Sequence, residues 1–291
     1  MKVGFIGVGN MGWPMAANLA AGDFDVTAFD AKPGQAARWA KETGAKSTVD
    51  LAALGRSVDV VITMLPSGRE VRDVLTRMDN GALAANLRKG TIVVDMSTAD
   101  PVGTRELGKE LAERGITLID APVSGGIRGA KDATLAIMIG GDPAVTAPIR
   151  PMLEKMGKRL FDVGDLGCGH AMKALNNFLA ATNFAAASEA MRVGSVFGLD
   201  PATMIDVINS SSGRNSSTEG IIKNEVLSGR FAFGFTLGLL VKDVSIAASI
   251  GEQIGVDNPY GRLTRERYTE ARDALGADAD HSRAVQAWEN K

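Results

Sequence analysis

The chain has 291 residues, enough for about two domains. Lys and Arg total 32 against 34 Asp and Glu, a formal net charge of -2, so no basic footprint exists for nucleic acid or for an anionic membrane surface. One cysteine, Cys168, excludes an internal disulfide. The two histidines, His170 and His281, leave little from which to build a metal site or a Ser-His-Asp triad, and no metal is expected.

No apolar run approaches the ~20 residues of a membrane span. The opening stretch MKVGFIGVGNMG has too short an apolar run for a secretory leader, so a cytoplasmic protein without membrane or nucleic-acid partners is expected.

In chain order, Lys2–Gly7 is a short apolar strand. Gly9–Gly22 follows with helical spacing that puts Met11, Met15, Asn18 and Leu19 on one face. Asp25–Asp30 is a second strand and Ala36–Glu42 a helix. Val58–Leu65 is an unbroken apolar run of the kind a parallel strand buried on both faces shows. Pro66 ends it, and a helix begins at Glu70–Leu75. Thr91–Met96 is the next strand. Pro101–Arg114 is a helix with Asp100 as its N-cap and proline in its first position. Strands follow at Ile116–Asp120 and Thr134–Ile139. Strands alternating with helices predict βαβ units and a mostly parallel sheet.

This alternation stops near residue 163. After the glycine-rich Val163–Gly169 only helical periodicity remains, broken at 198–201, 210–215, 228–235 and 255–259. The predicted architecture is α/β: a doubly wound dinucleotide-binding domain over 1–163 and an all-α domain over 164–291. Residues 178–191 are dense in alanine and predict a buried helix that other helices approach closely.

Gly7-Val-Gly9-Asn10-Met11-Gly12 matches G-x-G-x-x-G, directly after a strand and at the opening of a helix. In that context Gly7 makes the tight turn, Gly9 admits a pyrophosphate, and Gly12 packs helix on strand. Asn10 and Met11 complete the turn at the positive end of the helix. Asp30 stands about 20 residues on, at the end of the second strand, where a carboxylate takes the ribose 2′-hydroxyl and repels a 2′-phosphate. NAD is therefore expected. NADP stays possible because Lys32 is near.

Dehydrogenase chemistry also needs a proton donor and acceptor. The two tyrosines, Tyr260 and Tyr268, come late and lack a Y-x-x-x-K partner. In Gly164–Asn177 a helix starting near Gly169 stacks Lys173 and Asn177 at i and i+4. That pairs an amine with an amide, although a solvated helix lysine fits the same spacing.

Four motifs together resemble the β-hydroxyacid dehydrogenase family, which includes 3-hydroxyisobutyrate dehydrogenase and tartronate semialdehyde reductase: GFIGVGNMGWPMAANL (4–19), DAPVSGGIRGA (120–130), GCGHAMKALNN (167–177) and FTLGLLVKD (235–243). The resemblance implies a Rossmann domain followed by a helical domain, and reversible oxidation of a small 3-hydroxy carboxylate to its semialdehyde with NAD. Lys173 would be the general acid and base, and Asn177 would hold the substrate and orient the lysine. Ser124, Gly125 and Gly126 would take the carboxylate. Leu65, Pro66 and Thr98 would line the nicotinamide side, and Lys242 would reach the cofactor, with Asp243 beside it. Arg214, in the loop 210–215, would pair with a second acidic group or remain solvated. Cys168 and His170 receive no role.

Two departures from the family pattern stand out. Ala133-Thr134-Leu135 replaces a usual G-T-L, and Asp30-Ala31 replaces the Asn-Arg of many NADP-linked members. The alternatives are an NAD(P)H-linked semialdehyde reductase, an imine reductase, or a non-catalytic nucleotide-binding module. A homodimer or homotetramer is expected, since family members associate through the helical domain.

Overall fold

The computed structural model describes residues 1–78 and 82–289. The chain divides into two compact units, Met1–Lys173 and Ala174–Lys291.

The first unit runs β1 (Lys2–Ile6), α1 (Gly12–Ala21), β2 (Asp25–Phe29), α2 (Gln35–Thr43), β3 (Lys46–Ser47), α3 (Leu51–Ser57), β4 (Val60–Thr63), α4 (Gly68–Arg72), α5 (Ala82–Asn86) and β5 (Ile92–Asp95). It continues with α6 (Pro101–Ala112), β6 (Thr117–Asp120), β7 (Val123–Ser124), α7 (Gly126–Lys131), β8 (Leu135–Gly140), α8 (Pro143–Thr146), α9 (Arg150–Leu153) and β9 (Gly157–Gly164). The strands form one sheet in the order β3-β2-β1-β4-β5-β6-β8-β7, with β9 paired to β8. From β3 to β6 every pairing is parallel, and this is the doubly wound order in which ligands bind outside the carboxyl ends of the strands. β8 runs antiparallel to β6.

The apolar runs follow from burial on both faces. Val60 and Ile62 of β4 pack into one core cluster with Val3, Phe5 and Leu19, while Val61 packs on the other face with Ile6, Leu54 and Leu75. The predicted helix Gly9–Gly22 starts later, at Gly12, because residues 7–11 make the turn out of β1. Met15 and Leu19 are buried as the spacing requires. Asp100 caps α6 by accepting from Gly103 N at 2.7 Å, with Pro101 in the first position.

The helix α10 (Cys168–Phe197) begins in the first unit and continues into the second, which adds α11 (Pro201–Asn209), α12 (Leu237–Ile254), α13 (Pro259–Leu275) and α14 (Ala284–Glu289). The breaks at 198–201, 210–215, 228–235 and 255–259 fall between these helices. Ser217–Val226 is π-helical, a wider winding that side-chain periodicity does not announce. Within this unit the alanine-rich stretch is buried on one face only, through Ala181, Phe184, Ala187 and Met191. Leu179, Val193, Val196 and Phe197 are exposed.

His281 sits in the core of the second unit, its ring edge-on to Phe184 and Phe233 at 5.5 and 5.0 Å. Burial lowers its pKa from 6.5 to about 4. Between those values the unfolded chain binds a proton that the folded chain refuses. The stability held above pH ~6.5 is therefore lost as the pH falls toward 4, by roughly 3 kcal/mol from this group. Urea unfolding at pH 7, 5.5 and 4 should show that loss, and His281→Phe should flatten it. An unchanged slope in the variant would assign the acid sensitivity elsewhere.

Candidate functional site

The carboxyl edge of the sheet is a row of strand ends in register: Phe29 beside Ile6, Ile6 beside Thr63, Thr63 beside Asp95, and Asp95 beside Asp120. The predicted site residues of the first unit leave from this edge.

After β1 the chain turns at Gly7, whose φ of +93° suits glycine. A Cβ there would strike the Met64 carbonyl, and a Cβ on Gly12 would overlap the Gly7 carbonyl. At Gly9 a Cβ would meet nothing within 4 Å. Two glycines thus close the turn on itself, and the third keeps an exposed approach clear. The α1 N-terminus has no side-chain cap and no acidic residue in its first turn, so its N–H groups and partial positive charge stay available to an anion. This arrangement fits the pyrophosphate of a dinucleotide.

Asp30 closes the same loop from β2. Its Oδ2 accepts from Val8 N at 2.9 Å and its Oδ1 from Lys32 N at 2.8 Å. Gln35, which sequence reasoning passed over, donates from Nε2 to Val8 O at 2.8 Å. Val8 is therefore held through both its N–H and its carbonyl. A carboxylate has about four acceptor positions, so Asp30 keeps capacity for a ribose diol.

Leu65 and Pro66 follow β4, and Thr98 follows β5. Leu65 N donates to Ser97 Oγ at 3.0 Å, and Ser97 N donates to Asp95 Oδ1 at 3.0 Å. Thr63 Oγ1 donates to the same oxygen at 2.9 Å. Beyond β6, Ser124 lies in β7 opposite Ala136, followed by exposed Gly125 and Gly126 at φ +136° and +63°. Ala133, where the family pattern has glycine, takes φ +53°, a left-handed conformation that costs a side-chain-bearing residue ~1–2 kcal/mol.

Lys173 is half-buried on the second turn of α10. The first turn is fixed by Asp120, whose Oδ1 accepts from Gly167 N and whose Oδ2 accepts from His170 N, both at 2.7 Å. Burial raises the Asp120 pKa, and the neighbouring His170 opposes that rise. The glycines around Cys168 have a packing reason. Gly167 adopts φ +91°, and a Cβ on Gly169 would strike the Met138 carbonyl and Asp120. Asp95 and Asp120 were legible only as acids closing two apolar strands. Their joint role needs the strand register.

In the second unit Asn177 Nδ2 donates to Asp243 Oδ2 at 2.6 Å, and Lys242 Nζ lies 3.2 Å from Asp243 Oδ1. An ionised carboxylate only accepts, so Asp243 fixes which way the Asn177 amide faces. Arg214 lies on an exposed loop, its Nε 3.8 Å from Glu219 Oε1. Among the described residues no cluster of metal-ligating side chains is found, and no helix is long and apolar enough to cross a membrane.

Comparison with known proteins agrees with this geometry. Residues 2–164 match the family described as the NAD binding domain of 6-phosphogluconate dehydrogenase. Residues 167–288 match the family described as NAD-binding of NADP-dependent 3-hydroxyisobutyrate dehydrogenase. The chain is 36% identical over 289 residues to 2-(hydroxymethyl)glutarate dehydrogenase of Eubacterium barkeri, covering 99% of this chain and 95% of that one. It is 36% identical over 285 residues to 3-hydroxyisobutyrate dehydrogenase of Pseudomonas aeruginosa, covering 96% and 94%. The solved structure of Mycobacterium tuberculosis 3-hydroxyisobutyrate dehydrogenase with L-serine superposes with a TM-score of 0.91 at 32% identity, covering 99% of this chain and 98% of that one. With both halves matched and such relatives spanning nearly the whole chain, the protein belongs to the β-hydroxyacid dehydrogenase family of NAD(P)-dependent oxidoreductases.

Proposed function

We propose that the protein oxidises a 2-substituted 3-hydroxypropionate, HOCH2–CH(R)–COO⁻, to its semialdehyde with NAD. The observation that carries the reading is the position of Lys173, on the second turn of a helix whose first turn is bonded to the carboxyl edge of the dinucleotide-binding sheet. The substrates named for the relatives share one skeleton. 3-Hydroxyisobutyrate, 2-(hydroxymethyl)glutarate and L-serine, the last named for an NAD-dependent L-serine dehydrogenase of Pseudomonas aeruginosa, each carry a hydroxymethyl group on the carbon next to a carboxylate.

NAD, when bound, accepts the hydride from the hydroxyl-bearing carbon. The remaining work falls to the chain. Lys173 takes the hydroxyl proton in oxidation and returns it in reduction. Asn177, oriented by Asp243, presents its amide to the substrate and the lysine. Ser124, Gly125 and Gly126 hold the carboxylate, since successive glycines at positive φ turn backbone N–H groups outward. Leu65, Pro66 and Thr98 line the nicotinamide face, and Lys242, beside Asp243, engages the cofactor. Arg214 selects for an acidic R group. We assign the exposed apolar face of α10 to a homodimer or homotetramer contact.

Asp30 favours NAD over NADP, because a 2′-phosphate would meet a carboxylate already fixed by Val8 N and Lys32 N.

Three measurements test this reading. In Lys173→Ala, oxidation of 3-hydroxyisobutyrate should fall by roughly 10²- to 10⁴-fold, the range of general acid–base catalysis, with NADH affinity within threefold of the parent. Unchanged turnover would remove Lys173 from the chemistry. Gly9→Val should fold with an unaltered melting temperature, since its Cβ enters open space, yet lose NADH binding. Gly12→Val should instead fail to fold stably. Equal effects at the two positions would contradict the assigned pyrophosphate path. Asp30→Ala should raise KM for NAD more than KM for NADP, and an unaltered ratio would refute the ribose contact.

A further inference from the structure

A buried polar cluster joins the strand ends to the first turn of α10, and the chemistry assigned above makes no use of its histidine ring. His170 is fully buried, and Asp95 and Asp120 are 2% and 0% exposed. Thr104 Oγ1 donates to Asp100 O at 2.9 Å, which commits its single proton. The 2.8 Å contact between Thr104 Oγ1 and His170 Nδ1 therefore runs the other way, with the ring N–H donating. That fixes the ring's orientation. Nε2 then stands 3.6 Å from Asp95 Oδ2, and Nδ1 is 3.8 Å from Asp120 Oδ2. The His170 backbone N–H donates to that same Asp120 oxygen.

Asp95 reaches the cofactor side. Its Oδ1 receives Thr63 Oγ1 and Ser97 N, and Ser97 Oγ receives Leu65 N. The imidazole is thus wedged between the carboxylate that shapes the turns carrying Leu65 and Thr98 and the carboxylate that starts the Lys173 helix. His170 and Lys173 are i and i+3 on α10, so a displaced ring shifts the turn from which the lysine projects.

We propose that His170 is a positioning residue that holds Lys173 in register with the cofactor-lining turns after β4 and β5: its ring ties the first turn of α10 to Thr104 of α6 and fills the space between Asp95 and Asp120. This rests on the assignment of Lys173 as the proton-transfer group. A wedge of this kind acts on placement and not on cofactor binding, and displacements of about 1 Å at a reacting group cost up to 10²-fold in rate.

The test is the rate of the first turnover in the full-length enzyme, with 3-hydroxyisobutyrate and NAD, expressed per NADH-binding site. In His170→Ala this rate should fall roughly 10-fold to 100-fold while KM for NAD and NADH affinity stay within twofold. His170→Asn, whose amide nitrogen takes the place of Nδ1 and can donate to Thr104 Oγ1, should recover most of it. Thr104→Val removes the acceptor of the ring N–H at constant volume and should give an intermediate rate, and it carries the test if His170→Ala fails to fold. Unchanged turnover in His170→Ala or Thr104→Val would overturn the proposal. So would a loss that merely tracks the number of NADH-binding sites. If Lys173→Ala also turns over normally, the catalytic assignment itself fails. If Lys173→Ala is inactive while His170→Ala is normal, only the positioning role fails.

Discussion

The Asp120 carboxylate is the constraint on which the rest of the first unit's geometry turns. It closes a strand that is buried along its last three residues, and it accepts two backbone N–H groups from the segment that becomes α10. A buried carboxylate is costly unless its oxygens are satisfied, by several kcal/mol for an isolated charge. Here the satisfying donors flank a tight turn, closed by Cys168 N donating to Asp165 O at 2.9 Å, in which Gly167 lies at positive φ. The electrostatic need of one side chain and a local turn together fix the start of a 30-residue helix. Glycine is required on both sides of the contact, because a Cβ at Gly140 or Gly169 would occupy the space of the carboxylate itself.

The glycines of the dinucleotide turn obey a second logic. Gly7 and Gly12 are excluded from change by the protein's own backbone, so they speak to folding. Gly9 is not, since a Cβ there would meet nothing within 4 Å. Sequence alone cannot separate these cases, since all three fit the same motif. The structure separates them by what a methyl group would strike.

Much of the architecture was legible because parallel strands covered on both faces must be apolar throughout. The run predicted over Val58–Leu65 is the strand Val60–Thr63, whose bonding to β1 continues through Asp59 N to Lys2 O and Met64 N to Ile6 O before the chain turns at Leu65. β3 and β7 have two residues each and carry no periodicity, so nothing in the sequence marked them. β9 was missed for another reason. Most of its residues are partly or fully exposed and charged residues interrupt it, so it lacks the apolar signature of its neighbours. The helical periodicity expected between the breaks at 210–215 and 228–235 is wound as a π-helix over Ser217–Val226, a wider turn that side-chain spacing does not distinguish from an α-helix.

Single residues of the candidate site were visible where one side chain meets one expected ligand, as at Asp30 or Lys173. They were invisible where the role is relational. Asp243 stood out only as the neighbour of Lys242, yet it is the acceptor that dictates the face of the Asn177 amide. Nothing in the sequence assigned His170 a role, and its full burial fits a structural residue. What burial adds is a set of partners drawn from β5, β6 and α6, each distant in sequence. A side chain that contacts no substrate can still set where the reacting group stands, and the register of two strand ends is the information needed to see it.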